Sequence, residues 1–160
     1  MSFIFRHENY NYRDRIVRIV TWGCFLLMPS IKRNALVAYS ASQMYDLVND
    51  VEKYQRFLPG CVKSEVIESS ENYMLASLVL SKAGVKQTLT TSNTLIKDTA
   101  IEMDLSDGPF KSLSGGWRFT PLSDEACKIE LNLHFVFSSK LMEIAFGKIF
   151  NALANNMVSA

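Results

Sequence analysis

The sequence predicts an α+β fold, a curved antiparallel sheet of about seven strands packed on one long C-terminal helix. Three observations point to it. From Val62 onward, runs rich in β-branched and aromatic residues follow one another with breaks of only a few residues, too short for the crossover that a parallel pair requires. In the last run Ile129, Leu131, Leu133, Phe135 and Phe137 alternate with Glu130, Asn132, His134, Val136 and Ser138, so one face is dry and the other mostly wet. After Ser138-Ser139, a natural cap, Met142, Ala145, Phe146, Ile149, Phe150, Leu153 and Met157 form one apolar helical stripe. The only large apolar surface left to receive that stripe is the concave face of the twisted sheet.

The elements follow in order. Ile31 to Tyr39 reads as the first strand, and Ser40-Ala-Ser42 offers cap hydroxyls to a helix carrying Met44, Leu47, Val48 and Val51 and ending near Asp50. Tyr54, Phe57 and Leu58 continue as a short helical turn that Pro59-Gly60 closes. Six strands are then expected over residues 62–67, 73–80, 85–96, 100–105, 113–119 and 128–137. Ahead of the fifth of these, Gly108-Pro109 supplies a turn, and Gly115-Gly116 inside it marks a bulge or a close backbone approach. Leu113, Trp117 and Phe119 share one face of that strand, which either closes the core or lines a pocket.

Composition bounds the function. A chain of 160 residues, 48% hydrophobic and 21% charged, is long enough for a single domain with a sizeable core. Its 17 basic and 16 acidic residues leave a net charge of +1, so no global field draws it to nucleic acid; no DNA partner is expected, and any anionic partner must meet a local patch. Cys24, Cys61 and Cys127 are far apart and lack Cys-x-x-Cys spacing, which fits a reducing compartment and structural thiols. The first 27 residues stand apart: Arg13, Arg15 and Arg18 lie ahead of or within an apolar run, Ile16 to Leu27, well short of the ~20 residues that span a bilayer, and no Ala-x-Ala-like cleavage site follows. The domain is therefore read as residues 28–160, opening on Met28-Pro-Ser-Ile-Lys. Residues 1–27 are read as a mis-assigned start, with a membrane-surface arm as the alternative.

The constellations of catalysis are missing from the sequence. His7 falls in the extension and His134 on the polar face of a strand. There is no Gly-x-Ser-x-Gly, phosphate-cradling loop or ligand cluster with metal spacing. Asp46 and Asp50, four apart on a helix face, and nearby Glu52 read as solvating charges. No catalytic residue, metal site or covalent cofactor is assigned, and the domain reads as a non-enzymatic binder.

Three segments carry a resemblance: Val48-Asn-Asp-Val-Glu-Lys-Tyr-Gln-Arg-Phe-Leu-Pro-Gly-Cys61, Asp107-Gly-Pro-Phe-Lys-Ser-Leu-Ser-Gly-Gly-Trp-Arg-Phe119 and Phe135-Val-Phe-Ser-Ser139. Within this order of elements they resemble the coenzyme Q-binding protein family of the START-like, helix-grip superfamily, over Met28 to Ala160. The resemblance implies a curved sheet gripping the terminal helix with a cavity between them, and a terminal helix that is truncated at Ala160 relative to the family. It implies one of two non-enzymatic functions. The main expectation is binding of a ubiquinone-like polyisoprenoid quinone in support of respiration. The alternative, from a bacterial branch of ribosome association toxins, is binding to the large ribosomal subunit so that the subunits fail to associate. Both imply a cytoplasmic protein, the first with transient contact at the inner membrane surface.

Each reading nominates residues. For a quinone or other lipid, the expected lining is Met103, Leu105, Phe110, Trp117, Phe119, Leu133, Phe135, Met142, Phe146 and Phe150, with Phe57, Leu58 and Pro59 as an apolar rim at the mouth; the same residues packing against one another is the competing reading. For ribosomal RNA, the candidate contacts are Lys32, Arg33, Lys53, Arg56, Lys111 and Arg118, with Lys82 and Lys86 around one hairpin. They are scattered among acids, and ordinary solvated lysines are the competing reading.

Overall fold

Ser40 starts the first helix as its hydroxyl predicts. Its Oγ accepts the Gln43 N–H at 3.2 Å while Gln43 Oε1 accepts the Ser40 N–H at 2.9 Å, a reciprocal capping box that opens α1 (Ala41–Asn49). The computed structural model that shows this describes residues 29–82 and 84–159; the expected extension 1–27, with Cys24, lies outside the described residues. Ala41, Tyr45 and Val48 form the buried stripe of α1. Leu47, expected on that stripe, is 53% exposed, because two steps of 100° from Tyr45 carry it to the far side. A 3₁₀ helix, Val51–Arg56, follows, with Val51 and Tyr54 buried at the three-residue spacing that this helix eclipses. The Tyr54 hydroxyl donates to the Val48 carbonyl and ties the two helices together.

Seven strands form one antiparallel sheet: β1 (Ser30–Val37), β2 (Cys61–Ser69), β3 (Tyr73–Lys82), β4 (Val85–Ile96), β5 (Ala100–Asp107), β6 (Phe110–Ser123) and β7 (Ala126–Phe137), in the order β1-β7-β6-β5-β4-β3-β2. Six are joined by consecutive hairpins, and β1 closes the row on β7 from Ser30↔His134 to Val37↔Cys127. β1 stops two residues short of the expected Tyr39, within one residue of where β7 begins at Ala126. β6 runs longer than expected. β7 pairs with it along nearly its whole length, whereas β5 accompanies it only as far as Arg118, so Pro121 sits where one side of the strand needs no donor.

The glycine pair in β6 is a close approach and not a bulge, since the register runs unshifted through Gly115↔Leu133 and Gly116↔Asn132. Both have positive φ, +133° and +155°. A Cβ on Gly115 would lie 2.0 Å from the Asn132 carbonyl oxygen and one on Gly116 2.1 Å from that of Ile101.

The terminal helix, α2 (Lys140–Ser159), opens where Ser139 Oγ accepts the Met142 N–H at 3.2 Å. The preceding Ser138 is fastened to the Pro109 carbonyl through both its N–H, at 3.0 Å, and its hydroxyl, at 2.9 Å. Phe146, Ile149, Phe150 and Ala154 turn into the sheet, and Leu141 and Ile144 turn to solvent. Phe150 meets Phe110 at a tilt and Phe135 edge to face, with ring centroids 4.8 Å away in each case, and Phe110 stacks on Phe137 at 4.7 Å. Each such pair adds about 1 kcal/mol beyond the area buried and locks the helix against β6 and β7. Cys61 and Cys127 are free thiols, both buried, and burial pushes both up in pKa.

Candidate ligand cavity and its mouth

Between the sheet and α2, space remains where the facing side chains are small. On β3 Ala76, and on β6 Gly115, contribute little or nothing to the inner face, although the neighbours of Gly115 in register, Met103 and Leu133, both point inward. A cavity of about 80 Å³ results, walled by Met74, Leu89, Ile101, Trp117, Leu131 and Phe150 among others. Beside it a groove of about 600 Å³ runs between α1 and the end of α2 to the surface. Val48, Tyr54, Trp117 and Met157 border both, so the cavity and the groove share one wall. The groove ends among Tyr39, Leu47 and Phe57, apolar side chains exposed by 59%, 53% and 43%. Volumes of a few hundred cubic ångströms with an apolar lining are those in which proteins hold small molecules.

The lining is not wholly apolar. On β4 the inner face reads Leu89, Thr91, Asn93, Leu95, and Thr91 and Asn93 face the cavity. Asn93 is 4% exposed. Asn49, the last residue of α1, also borders the cavity, next to Tyr54, whose phenol burial holds above its usual range. Midway along α1, the Tyr45 ring meets Phe119 edge to face at 5.8 Å, and its pKa is raised first by burial and then by Asp98 and Asp46.

The side chains that the sequence nominates are dispersed over this site. Met103, Trp117, Leu133 and Phe150 meet in the cavity, and Phe57 stands with Trp117 in the groove. Phe110 and Phe135 belong to the interlocked ring cluster, and Phe119 and Phe146 are 2% exposed; these four border neither space. Leu105 and Met142 are half-buried outside both. Of the expected rim only Phe57 borders the groove: Leu58 is 3% exposed, drawn into the core by the Leu58 N–H bond to the Tyr54 carbonyl at 2.9 Å, and Pro59 is exposed beyond it.

The basic candidates do not converge on one spot. Lys53 pairs with Asp50, and Arg56 is exposed on the same 3₁₀ helix. Arg33 faces α2 and donates to Asn155. Lys111 lies at the irregular start of β6. Lys32 and Arg118, with Lys128, share the outer face of the β1-β7-β6 sector, where Glu130 pairs with Lys128 at 2.8 Å. Sequence reasoning missed Asn93, Thr91 and Asn49. The two polar residues at period two within the apolar face of β4 were the available signal. Among the described residues no group of three or more His, Cys, Asp or Glu side chains could hold a metal, and no helix is long and apolar enough to cross a membrane.

A family model described as polyketide cyclase / dehydrase and lipid transport matches residues 37–160. The chain is 59% identical over 133 residues to the ribosome association toxin RatA of Vibrio cholerae, covering 83% of this chain and 92% of that protein. It is 56% identical over 135 residues to the protein of the same name from Escherichia coli (strain K12), covering 84% and 85%. A distant relative, the mitochondrial coenzyme Q-binding protein COQ10 of Drosophila melanogaster, is 27% identical over 132 residues, covering 80% of this chain and 54% of that one. Among solved structures, the Zhui aromatase/cyclase from Streptomyces superposes with a TM-score of 0.66 at 22% identity, over 82% of this chain and 92% of that one, a likeness of fold.

Proposed function

The chain belongs to the polyketide cyclase / dehydrase and lipid transport family, and on that premise we propose that it acts as its bacterial relatives are named, as a ribosome association toxin. The observation that carries this reading is identity of 56% and 59% sustained over more than four fifths of the chain. It reverses the order of the two expectations, because the relative named for coenzyme Q is only 27% identical. The activity is non-enzymatic and cytoplasmic: binding to the large ribosomal subunit so that the subunits fail to associate, as the family resemblance implies. The outer face of the β1-β7-β6 sector offers a phosphate backbone Lys32 and Arg118 among polar Asn34, Asn132 and Ser114, with Glu130, opposite Arg118, engaged by Lys128.

The test is sucrose-gradient sedimentation of ribosomes with the purified protein. The expected result is a shift from joined ribosomes to separate subunits with the protein on the large one, weakening steeply between about 50 and about 200 mM salt. Joined ribosomes that persist at excess protein overturn the reading. Lys32→Ala with Arg118→Ala is expected to weaken co-sedimentation and reduce its salt dependence by about two counterions.

A second function is supported by a separate observation, the apolar cavity that shares a wall with an apolar-mouthed groove. It suits a hydrophobic ligand such as a quinone or lipid, with the exposed Tyr39, Leu47 and Phe57 meeting a membrane surface transiently during loading. Organic extraction and mass spectrometry of protein purified without detergent from a quinone-producing host tests it: a stoichiometric lipid is expected, and its consistent absence counts against this role.

A further inference from the structure

Among the described residues, three buried side-chain oxygens have no hydrogen-bonding partner: Asn93 Oδ1, Asn49 Oδ1 and Asp98 Oδ1. The first two belong to residues that border the cavity, one from the sheet and one from the end of α1. The surroundings are otherwise mostly methionine, leucine, isoleucine and aromatic side chains; the Tyr54 hydroxyl is spent on the Val48 carbonyl, and neither the Thr91 hydroxyl nor the Trp117 N–H meets these two oxygens. A buried acceptor left unmet carries the full desolvation penalty of the group, so native proteins seldom keep one without a use. Two acceptors brought from different elements to one cavity define what would satisfy them, a guest that presents hydrogen-bond donors at its buried end.

From this we infer that the cavity recognises the head of its ligand through Asn93 and Asn49, and that the head is a ring hydroxyl, phenol or quinol, carried on a hydrocarbon tail. The proposal rests on the reading of the cavity as a ligand site and adds its polarity and orientation. The head enters first, to the depth of Asn93. The tail leaves past Val48, Tyr54, Trp117 and Met157, the wall shared by the cavity and the groove, toward Leu47 and Phe57 at the surface. The volumes agree with that direction, because about 80 Å³ inside suits the polar end of a molecule and about 600 Å³ in the groove suits its chain. A carbonyl head of the same shape gives the two acceptors nothing to bind, so the reduced ligand is favoured over the oxidised one.

The experiment uses the full chain with Trp22→Phe, leaving Trp117 as the only tryptophan and placing the fluorophore in the site. The probes are a decyl-tailed benzoquinol, kept reduced under argon, and the same molecule oxidised to its quinone. Dissociation constants are read from the midpoints of Trp117 quenching, since the two probes differ in quenching amplitude. The quinol is expected to bind about tenfold more tightly, the equivalent of one net hydrogen bond. Asn93→Leu is expected to remove the preference by weakening the quinol alone, and Asn49→Ala, at a helix end where truncation leaves the core intact, to reduce it in the same direction. Equal binding of the two probes by the unsubstituted chain, or a preference that survives both substitutions, overturns the head-group assignment while leaving the cavity a ligand site. Tighter binding of the quinone also overturns it, because the amides would then be presenting Nδ2. Absence of saturable Trp117 quenching by either probe overturns the ligand-site reading itself.

Discussion

Gly116→Ala tests whether the centre of the sheet is as rigid as its geometry implies. The new methyl group would lie 2.1 Å from the Ile101 carbonyl oxygen and 3.0 Å from the Glu102 Cα, both backbone atoms of β5 that no rotamer change can move. The residue would also hold a φ of +155°, which L residues rarely adopt. The conformational strain is worth about 1–2 kcal/mol. Relieving the contact requires β5 and β6 to part by roughly 1 Å, and their ladder is short, from Ala100↔Arg118 to Asp104↔Ser114, so one or two of its bonds at about 1 kcal/mol each go with it. The expected loss is about 2–4 kcal/mol, or roughly 10 °C in Tm for a domain of this size. Gly84→Ala is the matched control: its φ is +82° but nothing lies within 4 Å of the added methyl group, so only the strain applies, about 1–2 kcal/mol. Urea unfolding followed by circular dichroism measures both. If Gly116→Ala costs no more than Gly84→Ala, the neighbouring backbone yields freely and the argument from close approach is wrong.

Ser40→Ala removes the acceptor of the capping box and is expected to cost about 1 kcal/mol in urea unfolding, with Ser40→Gly recovering much of it. Tyr54→Phe deletes the hydroxyl through which the 3₁₀ helix holds the Val48 carbonyl; a loss of about 1–2 kcal/mol is expected, with faster exchange of the amides in Val51–Arg56. Cys61, Cys127, Tyr45 and Tyr54 all have folded pKa values raised, chiefly by burial. Their protonated forms therefore favour the folded state, fully below the unfolded values near pH 8.5 for thiols and 10 for phenols, and the contribution is lost as pH rises beyond them. Stability from chemical denaturation should be level from neutrality to about pH 8 and decline across about pH 9 to 11; a rise over that range would contradict the burial of these groups.

The binary pattern of β7 and the cap signals Ser40 and Ser139 were legible because they are local. A two-residue period puts Ile129, Leu131, Leu133 and Phe135 on one face whatever the rest of the chain does, and all four are buried. A hydroxyl before an apolar helical run satisfies the first free N–H groups of that helix by itself. Short breaks between strands force hairpins, and hairpins dictate most of the strand order, leaving only the pairing of β1 with β7 to long-range contact.

The site was legible only in part, for a reason that the same residues illustrate. Periodicity assigns Phe135 and Leu133 alike to the inner face, yet Phe135 fills its space against Phe150 and Phe110 while Leu133 looks into a cavity. What separates them is the volume standing opposite, which depends on where α2 crosses the sheet and on the missing side chain of Gly115 two strands from β1. Asn93 is the clearest case. In the sequence it is one of several polar residues in a strand, and only the meeting of α1, α2 and β4 around one cavity makes its amide an unmet acceptor in a mostly apolar chamber. Local chemistry thus determined the elements and their faces, and the long-range fit of those faces decided which side chains touch one another and which are left to touch something else.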